Sequence, residues 1–173
     1  MLPDPLHPAI VHFPIVLVFL LPIFAIGAIW AIRRGSAPRR TWAVPVALSV
    51  ALTVSAWVAV QTGESQEDKV ENIVPDAAMD AHADAAELFL TLSGVLVLVV
   101  GAGLMPGVVG RSARIAGAAG ALGLVVMGAR VGHSGGKLVY THGAASAYTH
   151  PNPLPGAIGA NKPAVEERGR HGN

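Results

Sequence analysis

The most regular feature of the chain is a series of four long apolar runs separated by polar segments. Each run is about as long as a transmembrane helix, which needs roughly 20 residues to cross about 30 Å of hydrocarbon. The runs predict transmembrane helices at 10–32, 42–60, 83–105 and 115–131. We therefore predict an all-α integral membrane protein in which residues 1–143 form a four-helix bundle. The polar segment 144–173, rich in Pro, Gly and Ala, is predicted to be a flexible external tail.

Composition agrees with a protein that has the bilayer as its solvent. The 173 residues are 52% hydrophobic and only 13% charged, and this is too apolar for a water-soluble domain of that size. The sequence contains no cysteine. Disulfides, thiolate metal sites and covalent haem attachment within the chain are therefore excluded, so any metal would need nitrogen or oxygen ligands.

The charges of the connections predict how the helices are oriented. The two short connections contain six basic residues and no acidic one: Arg33, Arg34, Arg39, Arg40, Arg111 and Arg114. By the positive-inside rule these connections are cytoplasmic, so both termini are predicted to be external, on the periplasmic side. Trp30 and Trp42 would then mark the cytoplasmic interface and Trp57 the external one, as members of an aromatic belt.

Histidines are predicted to gather at the external boundary of the bundle. Helices that alternate in direction bring the start of the first, the start of the third and the end of the fourth to one membrane face. These positions carry His7, His12, His82 and His133, with His142 close behind. His12 lies inside an apolar run, where an unpaired ring is costly unless it forms a hydrogen bond or binds a ligand.

The first functional hypothesis is a non-enzymatic electron-transfer subunit with one b-type haem near the outer face. Imidazole is the usual axial ligand of haem iron, and two of His12, His82 and His133 would supply the ligands, with His12 and His133 as the preferred pair. Glycines of the fourth helix would admit the macrocycle, and Arg130 with Lys137 would pair with its propionates. Quinol or an external redox protein would exchange electrons with it.

Two other hypotheses stay open. His7, His12, His82, His133 and Glu87 together would suit copper or zinc, in a metal-handling protein. Alternatively the chain is a cofactor-free structural or assembly subunit of a larger membrane complex. Interfacial histidines would then bond to carbonyls or water, acids would favour helix starts, and the glycines would serve close helix packing. Motifs for nucleotide binding, nucleophilic catalysis or zinc proteolysis do not occur in the sequence, and no nucleic-acid partner is expected.

Two motifs resemble those of a bacterial membrane family, domain of unknown function 2231. The segment 7–15, HPAIVHFPI, is similar to the family's opening signature, and the segment 132–143, GHSGGKLVYTHG, is similar to the one that follows its glycine-rich fourth helix. The resemblance covers residues 6–143 and includes a histidine that opens the third helix. It implies four helices in the bacterial inner membrane and a redox setting, since members are sometimes joined to Rieske-type or cytochrome c-type domains.

Overall fold

The computed structural model of the protein describes residues 6–149, and these are almost entirely helical. The elements are α1 (His7–Ile10), α2 (His12–Arg33), α3 (Pro38–Glu64), α4 (Glu67–Val70), α5 (Asp76–Ala102), α6 (Gly107–Tyr140) and α7 (Ser146–Thr149). Four spans are long and apolar enough to cross a membrane: His7–Arg33, which joins α1 to α2, then α3, α5 and α6. The predicted all-α, four-helix membrane fold is confirmed.

The four spans form a closed ring in chain order. α2 packs against α3 and α6, and α5 packs against the same two helices from the opposite side. α2 and α5 are therefore diagonal partners, as are α3 and α6. One end of the bundle, where α1 and α5 begin and α3 and α6 end, carries the histidines, and we call it the histidine end. The opposite end carries both short connections and is called the arginine end.

Helix boundaries differ from the predicted ones at both ends of the bundle. At the arginine end, α6 begins at Gly107, eight residues before the predicted start at 115. α5 begins at Asp76, seven residues before the predicted start at 83, because Pro75 is extended and the acidic first turn suits a helix N-terminus. α6 continues to Tyr140, beyond the predicted end at 131. Hydropathy detects only the part of a helix that lies in hydrocarbon, so helical turns on the polar side were not predicted.

Small and aliphatic side chains fill the centre of the bundle, and one tryptophan joins them. The predicted role of Trp42 as an interfacial anchor is wrong: its side chain is fully buried, and its indole nitrogen donates a 2.8 Å hydrogen bond to the carbonyl oxygen of Val100 on α5. Gly103 is what leaves space for it, since a Cβ there would overlap the indole. Trp30 and Trp57 are 60% and 55% exposed, as an aromatic belt requires.

Two short elements extend over the histidine end. α4 lies in the connection between α3 and α5, and α7 follows α6. They meet where the Tyr148 hydroxyl donates a 2.8 Å hydrogen bond to the Gln66 side-chain oxygen, while Lys69 lies over the Tyr148 ring. α7 falls within the predicted tail 144–173, and residues 150–173 of that tail lie outside the described part of the chain.

Candidate functional site

His7 is held against the last turns of α3. Its Nδ1 lies 2.8 Å from the carbonyl oxygen of Ala59 and 3.3 Å from the Thr62 hydroxyl oxygen. The ring also lies against a glycine, because a Cβ added at Gly63 would be 3.2 Å from His7 Cε1. The start of α1 and the end of α3 are thus joined through one imidazole.

His82 is held in the same way against α6. Its Nδ1 lies 2.9 Å from the Ser134 hydroxyl oxygen, and that hydroxyl donates its proton to the Val131 carbonyl oxygen at 2.9 Å. A Cβ added at Gly135 would be 3.0 Å from His82 Cε1. The start of α5 and the end of α6 are therefore joined through the second imidazole.

These partners assign the proton on each ring. A carbonyl oxygen can only accept, so Nδ1 of His7 is the donor to Ala59. The only hydroxyl proton of Ser134 is already given to Val131, so Nδ1 of His82 is also the donor. In the neutral tautomer this leaves Nε2 with its lone pair on both rings. Among residues 6–149 neither Nε2 takes part in a recorded hydrogen bond.

We call the groups that hold His7 and His82 the two histidine anchors. They are built from equivalent positions in the two helical hairpins, α2–α3 and α5–α6. Each has a carbonyl at one position, a hydroxyl three residues later and a glycine after that: Ala59, Thr62 and Gly63 in α3, and Val131, Ser134 and Gly135 in α6. The corresponding positions are separated by 72 residues in the sequence. No repeat of fixed period is visible in the sequence, but the two hairpins share one way of fixing a histidine.

The two imidazoles lie at the same end of the bundle. They belong to the diagonal spans α1–α2 and α5. The histidine end therefore carries two oriented imidazoles, each with an available Nε2, and we call them the histidine pair.

The other predicted site residues lie around this pair, on the exposed side of their helices. The predicted cofactor and metal residues outside the pair are all exposed: His12, His133, Glu87, Arg130 and Lys137. Among residues 6–149, no group of three or more His, Asp or Glu side chains is arranged to hold a metal ion. The structure thus fixes His7 and His82 at one end of the bundle and leaves the preferred haem ligands, His12 and His133, exposed. The sequence analysis names His7 only as a metal ligand.

The glycines of α6 have two different environments along the helix. Toward the arginine end they permit close packing, because a Cβ at Gly120 would be 2.8 Å from Leu96 Cδ1 and one at Gly117 would be 3.0 Å from Val100 Cγ2. Toward the histidine end, a Cβ at Gly132 or Gly136 would meet no atom within 4 Å. These two residues are four apart, so they share one face of α6. That face has no side chain at either position and has open space beside it, and it lies next to Gly135, which contacts His82.

Fold and site together define a four-helix membrane protein with an oriented histidine pair at one end of its bundle. The family model described as "Predicted membrane protein (DUF2231)" matches residues 3–147, and the chain belongs to this family. The match includes both histidine anchors and both short connections. No curated protein and no solved structure matches the chain.

Proposed function

We propose that the protein is an electron-transfer subunit of the membrane that binds one b-type haem at the histidine end, with His7 and His82 as the axial ligands. The observation that carries the proposal is that the Nδ1 atoms of both imidazoles lie within hydrogen-bond distance of protein oxygens, at Ala59 and Ser134, whereas neither Nε2 has a hydrogen bond among the described residues. Histidines that ligate metals almost always donate their other ring nitrogen to a carbonyl, carboxylate or water, which fixes the tautomer and orients the ring.

The number of ligands favours haem over a structural zinc ion. A porphyrin fills four of the six positions around iron, so a pair of imidazoles from facing helices completes the set. Zinc in a structural site needs four protein ligands, so it would need two ligands beyond this pair. The glycine face at Gly132 and Gly136 offers an apolar surface for a planar group, and Arg130 and Lys137 are exposed at the same end for its propionates.

A haem held by these residues would supply reversible one-electron transfer. The residues of the chain would bind and orient the group: His7 and His82 through Nε2, with Ala59 and Ser134 fixing the two rings through Nδ1. The partner would be quinol or an external redox protein, depending on whether the electron reaches the histidine end from the bilayer or from the water. By the positive-inside rule this end is expected to face the periplasm of the bacterial inner membrane.

An absorbance spectrum tests the proposal directly. Full-length protein purified in detergent from cells supplied with a haem precursor should show the Soret band of a bis-histidine haem. His7→Ala and His82→Ala should each abolish that spectrum, because each removes one axial ligand. His12→Ala and His133→Ala are the matched controls, since they remove the same side chain from exposed positions at the same end, and both should keep the wild-type spectrum.

The alternatives give different results in the same experiment. Stoichiometric copper or zinc, lost in His7→Ala and His82→Ala and present without a Soret band, would favour metal handling. A double variant at both positions that retains wild-type assembly, with neither haem nor metal in the wild-type protein, would favour a structural subunit. Loss of the haem spectrum in His12→Ala or His133→Ala, with the His7 and His82 variants unaffected, would contradict the assigned ligands.

A further inference from the structure

A partly open cavity lies at the arginine end, opposite the histidine pair. It has a volume of about 920 Å3 and is bordered by the end of α2, both short connections and the starts of α3 and α6. It is independent of the proposed haem site, because none of its lining residues belongs to the histidine end.

Five arginines line this cavity: Arg33, Arg39, Arg40, Arg111 and Arg114. Guanidinium groups stay charged at every physiological pH, so five positive charges border one space. All the acidic residues in the described part of the chain fall between 64 and 87, at the other end of the bundle. The cavity is therefore an electropositive space whose counter-charge must come from outside the described residues.

One of the five arginines is fixed in place by the backbone. Arg114 is half-buried, and its Nε donates a 2.8 Å hydrogen bond to the carbonyl oxygen of Gly103. Its terminal nitrogen lies 3.4 Å from the carbonyl oxygen of Met105. Since the last carbonyls of a helix lack partners within the helix, this arginine both completes the end of α5 and holds the second connection against α6. The other four arginines are exposed and able to move toward a ligand.

The remaining wall of the cavity is mostly apolar and reaches the outer surface of the bundle. Ile29, Ile32 and Leu104 line its inner part, and Met105 and Ile115, 51% and 52% exposed, continue to the outer surface of the bundle. A soluble anion would use only the charged part of this space. A ligand with an anionic head and an apolar body would use both parts.

We infer that this cavity is a binding site for the phosphate head of an anionic phospholipid, with the acyl chains leaving along the apolar wall into the bilayer. Guanidinium groups bind phosphate oxygens through paired hydrogen bonds. Basic pockets between transmembrane helices recognise anionic lipid heads in this way. The cationic border and the apolar wall together select such a lipid over a zwitterionic one with the same chains.

Native mass spectrometry of the full-length protein in a neutral detergent tests the inference. Phosphatidylglycerol and phosphatidylcholine with identical acyl chains are the two probes. Wild-type protein should retain phosphatidylglycerol preferentially. The double variant Arg39→Ala/Arg40→Ala should bind it at least about 10-fold more weakly, because it loses the charge-assisted hydrogen bonds that two guanidinium groups would donate to the phosphate.

Arg34→Ala is the matched control for this pair. Arg34 caps the end of α2, at the same end of the bundle but outside the cavity lining, with its guanidinium stacked 4.8 Å from the Trp30 ring centroid. Its removal takes away one positive charge from the arginine end, and the lipid preference should stay at the wild-type level. Arg111→Gln tests the start of α6 separately and serves if the double variant fails to assemble.

Three outcomes would overturn the inference. Equal retention of the two lipids by the wild-type protein would show that the cavity does not distinguish lipids by the charge of the head group. An Arg34→Ala variant as weak as the double variant would show a general surface charge effect instead of a site. Displacement of the bound lipid by an equal concentration of inorganic phosphate, with phosphate itself retained, would identify a site for a soluble anion and remove the role of the apolar wall.

Discussion

Replacing Gly135 with alanine places a methyl group against the His82 imidazole. The new Cβ would lie 3.0 Å from Cε1, whereas carbon atoms in good contact are about 3.5–4.0 Å apart. Since Gly135 lies within α6, the helix cannot yield easily, and the ring must move by a few tenths of an ångström. The 2.9 Å contact between His82 Nδ1 and the Ser134 hydroxyl would lengthen or tilt. We expect the affinity for haem to fall at least about 10-fold, as when a partner that orients a ligand is lost.

Gly123→Ala is the control that separates this contact from the general effect of alanine, because Gly123 lies in the same helix but outside the proposed site. Both substitutions improve helix propensity by about 1 kcal/mol, but a Cβ at Gly123 would meet no atom within 4 Å. Gly123→Ala should therefore raise the free energy of unfolding in detergent by up to about 1 kcal/mol and keep haem binding. Gly135→Ala should gain less stability than Gly123→Ala. If haem titration and denaturant unfolding find the two variants alike, the His82 ring is not confined against α6 and the anchor is misassigned.

Three further predictions concern other parts of the molecule. Trp42→Phe should lower the free energy of unfolding by about 2 kcal/mol, because it removes a buried hydrogen bond and leaves a gap, whereas Trp30→Phe at the exposed belt should change it by less than about 0.5 kcal/mol. Ser134→Ala should weaken haem binding and shift the reduction potential, because Nδ1 of the ligand loses its partner, and Ser134→Thr should restore both, as the equivalent position in α3 is a threonine. Since the chain has no cysteine, Ser36→Cys and Gln66→Cys each introduce a single thiol that can be labelled in intact cells. A membrane-impermeant thiol reagent should modify Gln66→Cys, at the histidine end, and leave Ser36→Cys unmodified. The opposite result would show that the arginine end, and not the histidine end, faces the outside of the cell.

The four spans were predictable because length and hydropathy alone define a crossing of the bilayer. The face that each helix turns toward the interior of the bundle was not predictable. Lipid is as apolar as that interior, so lipid-facing and buried positions have similar side chains. Trp42 illustrates this: it begins a span as an interfacial tryptophan does, yet it faces inward and bonds to α5.

The same difficulty explains the choice of histidines. His12 drew attention because it stands in an apolar run, but it is exposed, while His7, roughly 140° away around a helix, is held against α3. His133 is exposed as well, and its neighbour Ser134, about 100° further around α6, makes the contact with His82. The sequence does contain a pattern that marks the positions holding His7 and His82: a hydroxyl residue followed by glycine, at 62–63 and again at 134–135. To interpret it, one must know which helices pack against each other, and a single sequence does not give that.

Each hairpin fixes one imidazole entirely with its own residues, so neither half of the chain contains both members of the histidine pair. A ligand that bridges the two Nε2 atoms would link halves that otherwise meet through helix packing and through the hydrogen bonds of Trp42 and Tyr148. If it binds only the assembled bundle, its free energy of binding adds to the cohesion of the protein, by about 2.7 kcal/mol at a concentration one hundred times Kd. Growth conditions that limit such a ligand would then also limit how much intact protein the membrane accumulates.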